Sequence, residues 1–278
     1  TVQVLKEPGR RPEQQSYFWL FRSGAKAEQQ VVVFEYQQTR AGIHALNFLT
    51  RDDGSMFSGI LQADGYAGYN VVSDATRIAC MAHIRRKFVD ALKLVPSSSR
   101  SDSVAAEIIE LIGELYAIER VGKGLPDEEL LALRDRDSRP LVSRIESWLR
   151  DHRDKALPKT ALGNAIRYGL QQWPAMRRYL ADARCSIDNN IAERDIKRVV
   201  MGRKAWLFAD SVGGMEANAV LYSLVQTCIA NRVDPYKYFK AVIERMPYAR
   251  SQTDLESLLP WILKPELDAE ADQIKLAA

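Results

Sequence analysis

The chain has 278 residues, 46% apolar and 27% charged, with 39 lysines and arginines against 36 aspartates and glutamates. This composition excludes disorder, collagen and a disulfide-stapled scaffold, and no run approaches the roughly 18 apolar residues that a membrane-spanning helix needs. Six acids and two lysines follow Gln252, so the formal +3 conceals a +7 body that admits a polyanionic partner.

Residues 1–80 predict strands with little helix. Val2–Leu5 and the aromatic run Tyr17–Phe21 flank a turn rich in Pro, Gly and Arg, the pattern of a hairpin, and Val31–Phe34 supplies a third strand. Ala41–Leu49 has helical spacing, and Gly59–Asp64 and Arg77–Ala82 are short strands. From His83 the period changes. Ser103–Ile118, Asp127–Leu133, Pro140–Leu149 and Ala161–Tyr179 are helical, broken at Gly122, Gly124, Pro126 and Pro158. A helix begins near Asp188, a long apolar helix covers Met215–Ala230, and Asp234-Pro235 opens another, with proline just inside the start. The expected architecture is one α/β domain interrupted by a helical insertion.

Chemistry is carried by few residues. Asp64 closes a short apolar strand before Gly65, where a carboxylate could hold a cation, although an Asp-Gly pair by itself reads first as a turn. Ala192, Ile196 and Val199 predict a buried stripe with Glu193 at its edge. Glu193 could instead pair with Lys197, or form a capping box with Asn190. Cys80 and His83 have the spacing of half a zinc site but lack the other half, so Cys80 is expected in the core. The three separated cysteines (Cys80, Cys185 and Cys228) and the lack of a leader fit a cytoplasmic setting. Basic groups cluster at Arg85-Arg86-Lys87 and at Arg194, Lys197, Arg198, Arg203 and Lys204. Beside carboxylates they suit phosphodiester chemistry, and otherwise they are solvated helix faces.

Four blocks, Leu61–Tyr69, Cys80–Phe88, Ile187–Arg194 and Gly202–Ala209, closely resemble the transposases of the insertion-sequence-66 family, in the same order. Tyr222-Ser223-Leu224, Asp234–Tyr238 and Leu258–Trp261 are similar to that family's C-terminal region. The resemblance implies a ribonuclease-H-like α/β core, a mixed sheet flanked by helices, of the DDE type. In it Asp64 is the second Asp and Glu193 is the Glu. Both would be catalytic and metal-binding, using Mg²⁺ or Mn²⁺, two ions in the intact protein, for DNA strand cleavage and strand transfer. On that reading the core's first part is residues 1–83, the helical insertion 84–185, the second part 186–230, and 231–278 a helical extension with an acidic tail. Arg85, Arg86, Lys87, Asn189, Asn190, Arg194, Lys197, Arg203 and Lys204 would touch DNA. The partners implied are transposon ends and target DNA, further copies of the chain in a synaptic complex, and accessory proteins of the same element, with no membrane.

The family's first Asp belongs to an Asp-Glu-Thr motif, and this chain begins at the Thr. The 278-residue chain is therefore expected to bind metal poorly and not to cleave DNA, with end recognition lying upstream. Two alternatives keep the same fold: a non-catalytic nucleic-acid-binding or assembly module, and a ribonuclease or junction nuclease. The nuclease would leave Asp188-Asn189-Asn190 and Gly202-Arg203-Lys204 unexplained.

Overall fold

Val2, Val4, Trp19, Phe21, Val32 and Phe34 are buried at alternate positions, the two-residue period that makes a strand present one face to a core. The computed structural model describes residues 1–276, with side chains through Ala269, so Glu270, Asp272 and Lys275 of the acidic tail lie outside the described side chains. Six strands form among the described residues: β1 (Val2–Lys6), β2 (Gln15–Arg22), β3 (Val32–Gln37), β4 (Ile60–Gln62), β5 (Thr76–Ile78) and β6 (Ala209–Ser211). They sort into a four-stranded mixed sheet of order β3-β2-β1-β6 and a separate parallel pair, β4-β5. In the larger sheet β2 runs antiparallel to β1 and β3, with Leu20 opposite Phe34, and β6 runs parallel to β1. The expected hairpin, third strand and mixed α/β class are all present. The chain divides into two compact units, Thr1–Ala41 with Ile191–Ala278, and Gly42–Asn190.

The unit Gly42–Asn190 holds β4, β5 and the helices α1 (Ile43–Leu49), α2 (Met81–Lys93), α3 (Val104–Val121), α4 (Asp127–Leu133), α5 (Arg139–Arg153) and α6 (Ala161–Met176). Along α2 the buried residues are Met81, Ile84, Phe88 and Ala91, a helical stripe. That stripe corrects the expected strand Arg77–Ala82: β5 ends at Ile78 and Met81 opens a helix, its N–H bonded to the carbonyl of Ile187 (3.0 Å). The stripe shares one core with Ile108, Ile112 and Leu115 of α3, Ile145 and Leu149 of α5, and Ile166 and Trp173 of α6. Burying a side chain of this size contributes about 1.5–3 kcal/mol. Ser103 and Thr160 cap α3 and α6 by accepting the N–H of Ala106 (3.2 Å) and Gly163 (3.1 Å).

Between α4 and α5 a wide turn, Arg134–Ser138, carries Arg134 into this core. Its guanidinium grips Glu119 of α3 with two hydrogen bonds (2.8 and 2.6 Å). It also donates to the carbonyls of Tyr179 (2.9 Å), Asp182 (3.1 Å) and Cys185 (2.9 Å), and lies 5.0 Å from the centre of the Tyr179 ring. One buried cation thus ties α3, the wide turn and the segment that leaves α6.

The other unit holds the four-stranded sheet with α7 (Asn190–Trp206), α8 (Val212–Ala230), α9 (Pro235–Arg245), α10 (Gln252–Glu256) and α11 (Pro260–Leu276). α9 starts as expected, Asp234 accepting the N–H groups of Tyr236 (2.8 Å) and Lys237 (3.4 Å). α8 lies along β3 through polar side chains one helical turn apart. Ser223 accepts the N–H of Phe34 (2.8 Å), Thr227 bonds both N–H and C=O of Val32 (3.1 Å each), and Asn231, just past α8, does the same for Gln30 (3.1 and 2.6 Å). Among the described residues no helix is long and apolar enough to cross a membrane.

Glu7, just past β1, is buried and accepts from Arg10 (2.9 Å), Ser16 (3.1 Å) and the Tyr36 hydroxyl. Burial pushes its carboxyl up, but the bonds from Tyr36 and Ser16 and the charge of Arg10 outweigh it and hold it below the usual range. The same pairing, with burial foremost, lifts Tyr36 to about 12. A depressed folded value means that the ionised network stabilises the fold above the unfolded pKa of about 4.3, and that this is lost as pH falls through the folded value. Urea midpoints measured from pH 6 down to pH 2 are expected to fall less steeply for Glu7→Gln than for the parent. Parallel curves would remove Glu7 from the acid response.

Candidate functional site

Asp64 lies in the unit Gly42–Asn190, two residues past β4, where the ladder closes with Ala63 N–H to the carbonyl of Ile78 (3.1 Å). It is half-buried, and its Oδ1 accepts the N–H of Tyr66 (3.2 Å), so the turn role open in the sequence is real. Oδ2 has no hydrogen-bond partner among the described residues. Three groups that no motif singled out stand around it. Arg77 of β5 donates to the Asp64 carbonyl (3.4 Å) with its guanidinium 5.2 Å from the Tyr69 ring centre. Burial lowers the pKa of Arg77, and Tyr69 and Asp64 oppose that shift. Tyr168 of α6 is held above the ordinary tyrosine value by burial and by the charge of Asp64, against a hydrogen bond from the backbone of Gly65. A Cβ on Gly65 would stand 2.9 Å from the Tyr168 hydroxyl and from the Gln172 amide, which is why glycine follows Asp64.

The second block begins at Cys80, 2% exposed, which ends the β5 segment and immediately precedes α2. Burial raises its thiol pKa, and its Sγ accepts the N–H of Asn189 (3.4 Å). Of the basic trio that follows, Arg85 is half-buried, Arg86 is exposed, and exposed Lys87 places its ammonium 5.6 Å from the Tyr168 ring centre. In the third block Asp188 is the organiser. It accepts the hydroxyl of Tyr116 (2.9 Å) and both the backbone N–H (3.1 Å) and side-chain amide (2.7 Å) of Asn190. Asn189 is half-buried and Asn190 exposed.

Glu193, on α7, belongs to the other unit and is half-buried. Of the expected stripe Ala192, Ile196 and Val199, Val199 is buried as expected, but Ala192 is half-buried, Ile196 is 43% exposed, and Asp195 is the other buried position. The reason lies on β2: Arg22 forms a buried ion pair with Asp195, which turns that side of α7 to the sheet. By helical geometry Glu193, Lys197 and Lys204 share another face. Arg194, Lys197 and Lys204 are exposed, and Arg198 donates to buried Gln226. Half-buried Arg203 donates to the carbonyl (2.5 Å) and hydroxyl (2.9 Å) of Thr1, a structural engagement that its motif did not reveal.

Gly202 in the fourth block has a packing cause. A Cβ there would fall on the hydroxyl of Tyr222 of α8, which accepts the indole N–H of Trp206 (3.2 Å). Gly202→Ala is expected to destabilise by about 1–3 kcal/mol despite the better helix former, because Tyr222 must move. Tyr222→Phe should cost about 1 kcal/mol through the lost bond. The pair together should cost less than the sum, which urea unfolding of the four proteins measures; strict additivity would rule out the clash.

The model of the Transposase IS66 family matches residues 1–217, and that of the IS66 C-terminal element matches residues 223–261. The chain is 36% identical over 232 residues to the uncharacterized protein y4jD of Sinorhizobium fredii, covering 80% of this chain and 43% of that protein. It is 33% identical over 237 residues to the uncharacterized protein y4hP of the same organism, covering 80% and 42%. The chain thus spans about two fifths of the length of these curated relatives. No solved structure matches it.

Proposed function

The chain belongs to the IS66 transposase family, and we propose that it forms the catalytic core of an insertion-sequence DNA transposase that cleaves and joins DNA with the help of divalent metal. The observation that carries this reading is the family match across residues 1–217, which takes in both candidate acids in their motif blocks. A half-buried carboxylate with one oxygen uncommitted stands at the end of β4, at Asp64. The mixed sheet carrying α7 and α8 supports a ribonuclease-H-like core, and the run of helices α2 to α6 supports the helical insertion.

Asp64 and Glu193 fit a hard divalent cation by donor chemistry, since carboxylate oxygens are what Mg²⁺ and Mn²⁺ prefer. When bound, such ions polarise a phosphodiester and make water or a 3′-hydroxyl a better nucleophile. The chain's own contribution is positional. Gly65 and Tyr168 fix the turn that aims Asp64, Arg77 lends positive charge beside it, and Asp188 sets the start of the helix that bears Glu193. The exposed Arg86, Lys87, Arg194, Lys197 and Lys204 suit neutralisation of phosphates along DNA. Arg85, Asn189, Asn190 and Arg203 complete the proposed DNA-contacting set, and further copies of the chain and accessory proteins of the element are its proposed partners.

The test uses a longer protein that carries this chain's sequence at the full length of its curated relatives. Incubated with Mg²⁺ or Mn²⁺ and DNA bearing the element's ends, it is expected to nick at those ends, and chelation should stop the reaction. DNA binding without any metal-dependent nicking would favour a non-catalytic module instead.

A further inference from the structure

From Arg194 to Phe208, within the unit that carries the four-stranded sheet, every exposed side chain is basic or apolar. The one acid of that stretch, Asp195, is buried against Arg22. On α7, Lys197, Val200, Met201 and Lys204 share the face opposite buried Asp195 and Val199, so two apolar side chains stand between two ammonium groups. Lys197 and Lys204 make no hydrogen bond or ion pair among the described residues, and Met201 is 61% exposed. Asp210, the next acid along the chain, is committed to Lys6 (2.9 Å). A solvated helical face is ordinarily polar, so the apolar content of this one needs a cause outside the fold. The helix then ends in a strained turn. Leu207 takes a left-handed conformation (φ 59°), with its N–H bonded to the carbonyl of Arg203 (2.7 Å). That helix-ending position favours glycine, because in it a Cβ crowds the following carbonyl. Leucine holds it here while 61% exposed, and Phe208 after it is 46% exposed, so burial of these side chains does not offset the strain.

We propose that this face of α7 and the Leu207-Phe208 turn form a strip for unpaired DNA, with phosphates on Lys197 and Lys204 and bases against Met201, Leu207 and Phe208. In a duplex the bases stack on one another, and lysines alone would serve its outer phosphates. Apolar side chains gain only from bases that have left the stack. A second protein is the poorer fit, since lysine is depleted at protein interfaces and their cores exclude charge. Glu193 lies on the same helical face one turn before Lys197, so a strand along the strip runs from the candidate acid to the end of α7. The proposal rests on the DNA-processing reading and adds to it the form of DNA that α7 holds.

The test is fluorescence anisotropy of the 278-residue chain with a labelled oligothymidylate and with a labelled duplex, each across a salt series. Phe208→Ala is expected to weaken oligothymidylate binding about ten-fold, the loss of one stacked base, while duplex affinity changes less than about two-fold. It removes no charge, so the slope of log K against log salt should stay at the parent's value. Lys204→Gln should instead reduce that slope by about 0.7 and weaken oligothymidylate binding about four-fold near 0.15 M salt, the effect of one lost phosphate contact. Leu207→Gly should weaken oligothymidylate binding with a melting temperature equal to or above the parent's, which separates a lost contact from a lost fold. Parent-like oligothymidylate binding by Phe208→Ala or Leu207→Gly, or an equal loss for the duplex, overturns the strip while the DNA reading stands. A parent chain that binds neither DNA in a salt-dependent way overturns the DNA reading as well. A parent oligomer that Phe208→Ala dissolves in analytical ultracentrifugation would give the face to a second copy and overturn the choice of occupant.

Discussion

Arg134→Met is expected to lower the stability of the chain by about 3–5 kcal/mol, the cost of removing one partner from a buried ion pair. The side chain is 2% exposed, and its partner Glu119 is largely enclosed. Methionine fills much of the space but supplies no donor. Glu119 would remain as a buried charge, and the carbonyls of Tyr179, Asp182 and Cys185 would each lose a guanidinium bond. Arg134→Lys is expected to recover only part of the loss, since one ammonium cannot reach a carboxylate and three carbonyls in the planar arrangement that a guanidinium offers. Replacing Glu119 by Leu in the methionine background should restore stability relative to the single variant, because no buried charge is then left alone. Urea unfolding followed by tryptophan fluorescence reports this directly, since Trp148 and Trp173 lie in the same core. A change below about 1 kcal/mol for Arg134→Met would show that the pair contributes no more than a surface bridge.

Asp64→Asn and Glu193→Gln, each made in the longer protein, are expected to lower metal-dependent strand cleavage by at least about 10³-fold, equivalent to about 4 kcal/mol of transition-state stabilisation. The amides are nearly isosteric with the acids, and the turn bond from Tyr66 N–H can be kept by the amide oxygen of asparagine, so the local fold should survive. What changes is the anionic oxygen that a divalent cation requires. DNA affinity should stay within about two-fold of the parent, because the proposed DNA contacts are lysines and arginines whose charge is untouched. The split between lost cleavage and retained binding separates a ligand from a residue needed only for folding. Cleavage retained by either variant would falsify the assignment of that acid.

Much of this arrangement is legible in the sequence, and the residues that were misread share a cause. The aromatic alternation of Tyr17–Phe21 and the spacing along α3, α5 and α6 are local signals, and they produced the elements they announced. The run Arg77–Ala82 reads as one strand because all but its first residue are apolar, yet the helix starts at Met81, where a carbonyl from Ile187 takes its N–H. The buried stripe of α7 was assigned to Ile196 because isoleucine is apolar; Asp195 occupies it because Arg22, distant in sequence, neutralises it. α8 reads as an apolar helix, and its polar positions gave no hint that they serve the backbone of β3. At the candidate site the motif blocks pointed to Asp64 and Glu193, and the turn role of Asp64 was visible from the glycine after it. Arg77, Tyr168 and the partners of Arg134 depend on tertiary neighbours, and a one-dimensional pattern does not encode these.

The side chains that α8 and Asn231 lend to β3 bear on how copies of this chain can assemble. An open sheet edge invites β-augmentation, in which a strand from another molecule adds to the ladder. Here the outward N–H and C=O groups of Gln30 and Val32, and the N–H of Phe34, are already taken, so an incoming strand would have to peel the helix away first. A second copy of the chain, or any extended peptide, therefore cannot lengthen the ladder at the β3 edge while α8 keeps its place. The helix thus does for this edge what charged or proline-bearing edge strands do elsewhere, guarding it against open-ended stacking.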